Sequence, residues 1–405
     1  MLREDQAAPN PAGVAAGRFD SFPSDFAFND AGQIAFATTT ALRGATTPTI
    51  SSVHGVFAAD GIDLINAART GEMAGGIVMR SFGMGRHSLN RHGQIAYLAS
   101  LTGGGTVLRL WTPDLRWRAA GDGLWSASQN WTLGLTPAAM HRVFIEPEAA
   151  LTVAGPAANA SVKSLKIGGG AGAAELRWTA DATLTAEGIT VSTNGTLSGG
   201  GTAAAPLVCE GTLSPGASSS AGWLTVTGEA QLAGSAVVKI ELGGAGGMDS
   251  DRMIFQGGVE LAGALEVSLI NGHAPAAGQV YLIAAVGGTR TGTFAGLPEG
   301  ALVGTFGGRD LHLTYAGGDG NDLALTASAL PVSPLPPPTI DLEENTGHVL
   351  LLFHGHAGRN YVIQRSTDMA EWAAVHSATA PASGEIPFTD TTPPPGRVFY
   401  RAKPQ

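Results

Sequence analysis

The sequence predicts an all-β chain built from several modules. Three observations carry that expectation. Gly contributes 58 of 405 residues while charged residues make up only 14%, a balance suited to many short strands joined by tight turns. Runs of four to six residues alternate apolar and small polar side chains, as in Thr183-Leu184-Thr185 and Thr225-Val226-Thr227, which is the two-residue period of a half-buried strand. A motif also occurs twice near the start, so part of the chain is a repeat.

That repeat is the first element. Residues 28–36 read "FNDAGQIAF" and residues 89–97 read "LNRHGQIAY", with Gly32 and Gly93 separated by 61 positions. Asn-x-x-Gly makes a tight turn because Gly accepts positive φ, and Gln-Ile-Ala-aromatic then alternates as a strand. Further strands are expected at "HGVFAADG" and "VLRLWTPD". Sheets repeated at this size build propeller blades, and two copies are too few to close one. A propeller-like region over residues 1–112, truncated at its N-terminus, is therefore expected. The repeat resembles the tandem N-x-x-G-Q-I-A-F modules of secreted bacterial surface proteins over roughly residues 18–112.

Residues 113–328 follow as strand-like runs punctuated by Gly, Asn and Ser, beginning with "RVFIE", "LTVAG" and "VKSLKIG". Short rungs of this kind stack into a parallel β-helix, a solenoid in which each coil buries its apolar face against its neighbours. The stretches "GLWSASQNWTLGLTP", "NGTLSGGGT", "EGTLSPGASSSAGWLTVTG" and "LTYAGGDGNDLALT" resemble, in order, the passenger region of proteins with autotransporter-associated β-strand repeats. The resemblance implies a right-handed, extracellular parallel β-helix without a fixed catalytic centre. It departs from the family in lacking a C-terminal barrel and in a slightly longer "GASSSAGWL" turn.

Residues 329–339, "ALPVSPLPPPT", read as an extended Pro-rich linker. The last module, residues 340–405, predicts strands at "HVLLLFHG", "NYVIQRST", "WAAVHSAT", "GEIPFTD" and "VFYRAK". Gly358, Tyr361, Ile363, Gln364, Ser366, Asp368, Trp372, Phe388, Asp390, Phe399, Tyr400 and Arg401 carry a resemblance to the small fibronectin type III-like β-sandwich of secreted bacterial proteins. Such modules serve as spacers or binders.

The net charge of −10 and the scattered basic residues argue against nucleic acid and against an anionic membrane surface, both of which need clustered Lys and Arg. The single cysteine, Cys209, reads as a small buried hydrophobe on a strand. The N-terminus shows no apolar core of a secretory signal, and no run approaches a membrane helix. Extracellular or cell-surface placement is therefore expected from the resemblance alone.

Candidate chemistry is sparse. Gly317-Gly318-Asp319-Gly320-Asn321-Asp322 matches the start of a calcium-binding nonapeptide, with Asp319, Asn321 and Asp322 as ligands. The large apolar residue expected at 324 is Ala there, with Leu at 323 instead, and no second copy lies beside it, so a turn into the last strand is the favoured reading and calcium the alternative; no other cofactor is expected. His354 and His356 share one strand face but lack a third ligand. Asp249 and Asp251 could be pictured as a glycosidase pair, although Gly246-Gly247 marks a turn there. "GASSSAG" lacks a His or acid partner, and "IGGGAGAAEL" lacks the Lys of a phosphate loop. Trp111, Trp117, Trp125 and Trp131 crowd one junction. They are expected to pack the open end of the β-helix, with carbohydrate stacking on Trp125 and Trp131 as the alternative. The expected role is that of a non-catalytic secreted or surface protein acting in adhesion or as an extracellular scaffold, whose partners are glycans or other surface proteins. A carbohydrate-binding or polysaccharide-processing β-helix protein is the alternative.

Overall fold

The computed structural model describes residues 17–19, 26–42, 51–74, 76–216, 219–244, 246–328, 339–345, 347–355, 358–381 and 383–404. Apart from two short 3-10 turns, every element among them is a strand. The chain divides into two compact units, Met1–Ala329 and Leu330–Gln405. His356 and all of the Pro-rich segment before Thr339 lie outside the described residues.

The first unit opens with two antiparallel sheets. One has five strands, Gly17–Phe19, Ala27–Phe28, Ile34–Leu42, Ser51–Ala59 and Leu64–Arg69. The other has four, Met73–Ala74, Ile77–Gly83, Ile95–Leu101 and Thr106–Trp111. The repeated motif builds the same turn in both. Asn29 Oδ1 accepts the backbone N–H groups of Ala31 and Gln33 at 3.1 Å each, and Asn90 Oδ1 accepts those of His92 and Gln94 at 2.9 and 3.0 Å. The glycines stand at φ +79° and +73°, a region that costs other residues strain. The following Gln33 is buried and donates to the carbonyl of Leu133 at 2.8 Å, tying the first sheet to the next region. Arg118 adds a second tie through Asp60 and Asp63, at 2.7 and 2.5 Å. Burial alone would raise the Asp60 pKa, but N–H donors and Arg118 outweigh it and hold that carboxyl low.

From Leu115 onward the chain alternates between two large sheets. One is an eight-stranded, wholly parallel ladder: Leu115–Arg116, Arg142–Ile145, Ser164–Ile167, Ile189–Val191, Leu207–Cys209, Ala230–Leu232, Val259–Leu261 and Arg290–Gly292. Between consecutive members the chain visits a fourteen-stranded sheet and returns one place further along. Each visit is one circuit. Register is strict, so side chains stack in columns. Ile145, Ile167, Val191, Cys209 and Leu232 form one such column, and every member is at most 1% exposed. The residues just before them, Phe144, Lys166, Thr190, Val208 and Gln231, are half-buried or exposed, which is the alternation the sequence displays. Each inward Val, Leu or Ile contributes roughly 1.5–3 kcal/mol of burial. The series ends in antiparallel strands, Leu302–Phe306, Arg309–Gly317 and Asp322–Ala327, the last pairing with Val280–Val286.

The second unit holds two three-stranded antiparallel sheets. Thr339–Asn345, His348–His354 and Glu385–Asp390 make one; Asn360–Ser366, Ala373–Thr379 and Phe399–Pro404 make the other. Leu351, Phe353 and Ile386 of the first share a core with Tyr361 and Ile363 of the second. Tyr400 and Arg365 each reach Asp390 Oδ2 at 2.7 Å, pinning one sheet to the other.

Candidate functional site

The structure disperses most of the expected site residues into structural duties. Trp125 and Trp131 are 4% and 0% exposed. With Trp117 they form an edge-to-face cluster, Trp131 lying 5.0 Å from Trp117 and 5.1 Å from Trp125 between ring centroids, and Trp131 Nε1 donates to the Trp125 carbonyl at 2.8 Å. Neither ring presents a face for a sugar, which corrects the stacking alternative for these two residues. The cluster lies where the first circuits of the parallel ladder begin.

The Gly-Asp-Gly-Asn-Asp stretch is the turn between two antiparallel strands, with Gly317 paired to Asp322. Asp322 is buried, and its Oδ1 accepts the Val286 N–H at 2.8 Å. Asn321 Nδ2 donates to the Gly288 carbonyl at 2.8 Å, while its Oδ1 is buried without a partner among the described residues. Asp319 is exposed. The three proposed calcium ligands therefore point to different tasks. Among the described residues no group of three His, Cys, Asp or Glu side chains could hold a metal.

Asp249 and Asp251 part company in the same way. Asp249 is exposed and accepts the Gly246 N–H at 3.0 Å. Asp251 is fully buried and accepts the N–H groups of Gly222 and Glu241 at 2.9 and 3.0 Å. Burial pushes the Asp251 carboxyl up to about 7, against the pull of those two N–H bonds.

Asp251 belongs to a wider pattern that the sequence did not announce. Polar side chains repeatedly reach from one circuit to the next. Glu146 binds Arg116 of the preceding strand and Lys166 of the following one, and these cations hold its carboxyl low despite burial. Glu175 joins Thr152, Arg177 and Ser198 at 2.6–3.0 Å. Asn194 takes the Gly169 N–H at 2.6 Å and donates to the carbonyls of Gly170 and Gly172 at 2.9 and 2.8 Å. Asp122 and Asn159 accept N–H groups of Thr152 and Thr183 at 2.7 and 2.9 Å.

One outward stretch stands apart. A groove of about 480 Å³ opens over Trp178, Asp181, Gly200, Thr202, Trp223 and Thr225. It lies where Ala182, Gly201, Leu224 and Met253 occupy successive in-register places. One residue earlier, Gly200, Trp223 and Arg252 form an outward row, Trp223 pairing in register with Arg252, and Asp181 stands beside Gly200 in the bulge that interrupts the pairing between Trp178 and Ala182. Arg252 stacks on the Trp223 ring, its guanidinium carbon 4.6 Å from the centroid. Gly200 leaves a gap in that row, and a Cβ built there would lie 3.6 Å from Asp181 Oδ1 and 3.5 Å from the Trp223 carbonyl oxygen. The indole nitrogens of Trp178 and Trp223 are buried without acceptors among the described residues.

Comparison with known families matches residues 1–112 to a family of unknown function, DUF7453. That is the segment holding both copies of the Asn-x-x-Gly-Gln turn. No curated protein and no solved structure matches the chain.

Proposed function

We propose that the alternating circuits wind as a right-handed parallel β-helix, that the two preceding sheets are blade-like repeats, and that the protein is a non-catalytic extracellular scaffold or adhesion protein with a fibronectin type III-like module at its C-terminal end. The observation that carries this reading is the circuit-to-circuit use of polar side chains. Glu146, Glu175, Asn194, Asp251 and Asp322 all spend their donors and acceptors on neighbouring strands or on backbone groups. Side chains so engaged stiffen a rod, and rods display modules at a distance from a surface. The inter-sheet ties of Tyr400 and Arg365 to Asp390 support the sandwich reading of the last module. The exported reading is tested on intact cells that make the chain, with a membrane-impermeant amine reagent. Half-exposed Lys239 and Lys166 are expected to be labelled before lysis; labelling only after lysis contradicts it.

A further inference from the structure

The groove over Gly200 goes beyond a scaffold role, and the geometry points to a binding site for one neutral pyranose ring, held between Asp181 and Trp223. The argument rests on the row itself. Gly200 stands about one strand spacing, roughly 4.8 Å, from Trp223, and on its other side the bulged Asp181 brings Oδ1 to 3.6 Å from where a Cβ of Gly200 would lie. Every other place in the row carries a side chain. Gly200 carries none, so the groove floor is open there. Its volume, about 480 Å³, falls in the range of roughly 300–1,000 Å³ usual for small-molecule sites.

The walls set the chemistry. Arg252 covers one face of the Trp223 indole from the strand beyond, so the opposite face looks back toward the vacant Gly200 place. An indole face is apolar and carries negative charge density, which suits the C–H face of a sugar. Across the gap the exposed Asp181 carboxylate offers two acceptors to hydroxyl groups. Thr202 and Thr225, side by side in register and outward-facing, add hydroxyls along the groove. A cationic ligand would also find an aromatic face and an acid, but Arg252 already places a positive charge against the same ring and weakens it for a second cation. An anionic sugar would meet Asp181 head-on. A neutral pyranoside satisfies both walls.

Gly200 also supplies the test. Its backbone lies outside the positive-φ region and a Cβ there meets only ordinary contacts, so Gly200→Leu fills the groove without straining the strand, and Gly200→Ala is a smaller version if Leu impairs folding. The whole chain is applied to an array of neutral and anionic oligosaccharides together with choline. Neutral glycans are expected to be retained. Gly200→Leu and Trp223→Ala are each expected to weaken the best of them about tenfold, the factor carried by a stacking contact of about 1.4 kcal/mol, with the melting temperature of the glycine variants unchanged. The proposal fails if no neutral glycan is retained, if only anionic glycans or choline bind, or if the folded Gly200 variants bind as tightly as the parent chain.

Discussion

Asn194 is the sharpest place to ask whether neighbouring circuits hold one another. Its side chain ends three backbone groups of the preceding turn, the Gly169 N–H and the carbonyls of Gly170 and Gly172, at 2.6, 2.9 and 2.8 Å. The turn glycines have no room for alternatives: a Cβ at Gly170 or Gly172 would fall within 2.4 Å of the backbone of the circuit before. Asn194→Ala removes all three bonds at once. A net hydrogen bond contributes about 1 kcal/mol, and the site is half-buried, so water recovers part of the loss. The expected destabilisation is about 2–3 kcal/mol. Urea unfolding followed by far-ultraviolet circular dichroism reads it as a fall in midpoint at constant slope. The exposed neighbour supplies the control, since Thr193→Ala should stay within about 0.5 kcal/mol of the parent. If Asn194→Ala is equally silent, the turn does not depend on the next circuit and the reasoning is wrong.

Three further outcomes follow from buried or engaged groups. Asp251 has a folded pKa of about 7 against 3.8 for the free group, so its contribution to stability is fully present below about pH 4 and is lost as pH rises to about 7, a span of roughly 4 kcal/mol. Asp251→Asn should therefore close the gap to the parent chain steadily across that interval, and a gap independent of pH contradicts the burial of a carboxyl there. Cys209 is buried in an inward column and its thiol is pushed up to about 12 by burial; a disulfide-exchange reagent at pH 8 should modify it only in denaturant, whereas rapid reaction of the native chain refutes that placement. Because Asp322 already holds the Val286 N–H, millimolar calcium should leave the melting temperature unchanged; a clear rise would restore a calcium site at the Asp319–Asp322 turn.

The parts of the fold that read locally were legible. The Asn-x-x-Gly turns need only residues within five places of one another, and Asn29 and Asn90 make the same two backbone bonds. Alternation places the strands Arg142–Ile145, Leu151–Ala154 and Asn360–Ser366 within a residue or two of their expected positions. What did not read locally is what register decides. Consecutive members of the set Asp181, Gly200, Trp223 and Arg252 are 19–29 residues apart in sequence and meet only because their strands pair side by side, with a bulge at Asp181. Gly200 looks like one more turn glycine inside "LSGGGT", yet it sits within the strand Gly195–Ala204. Asp251 looked like its neighbour Asp249 because two carboxylates two places apart carry no mark of which one the chain buries.

The most direct test of the stacked-circuit account is a register measurement on the outward column of the parallel ladder, where Thr190 pairs with Val208 and Val208 with Gln231. In a chain carrying Cys209→Ala, the pair Thr190→Cys and Val208→Cys would lie one strand spacing apart, about 4.8 Å, within the span a disulfide bridges. The pair Thr190→Cys and Gln231→Cys would lie two spacings apart, about 9.6 Å, beyond that span. Mild oxidation of the folded chains should cross-link the first pair and leave the second as free thiols. Cross-linking of the second pair, or none of the first, would contradict the parallel register on which the stacked circuits and their groove both depend.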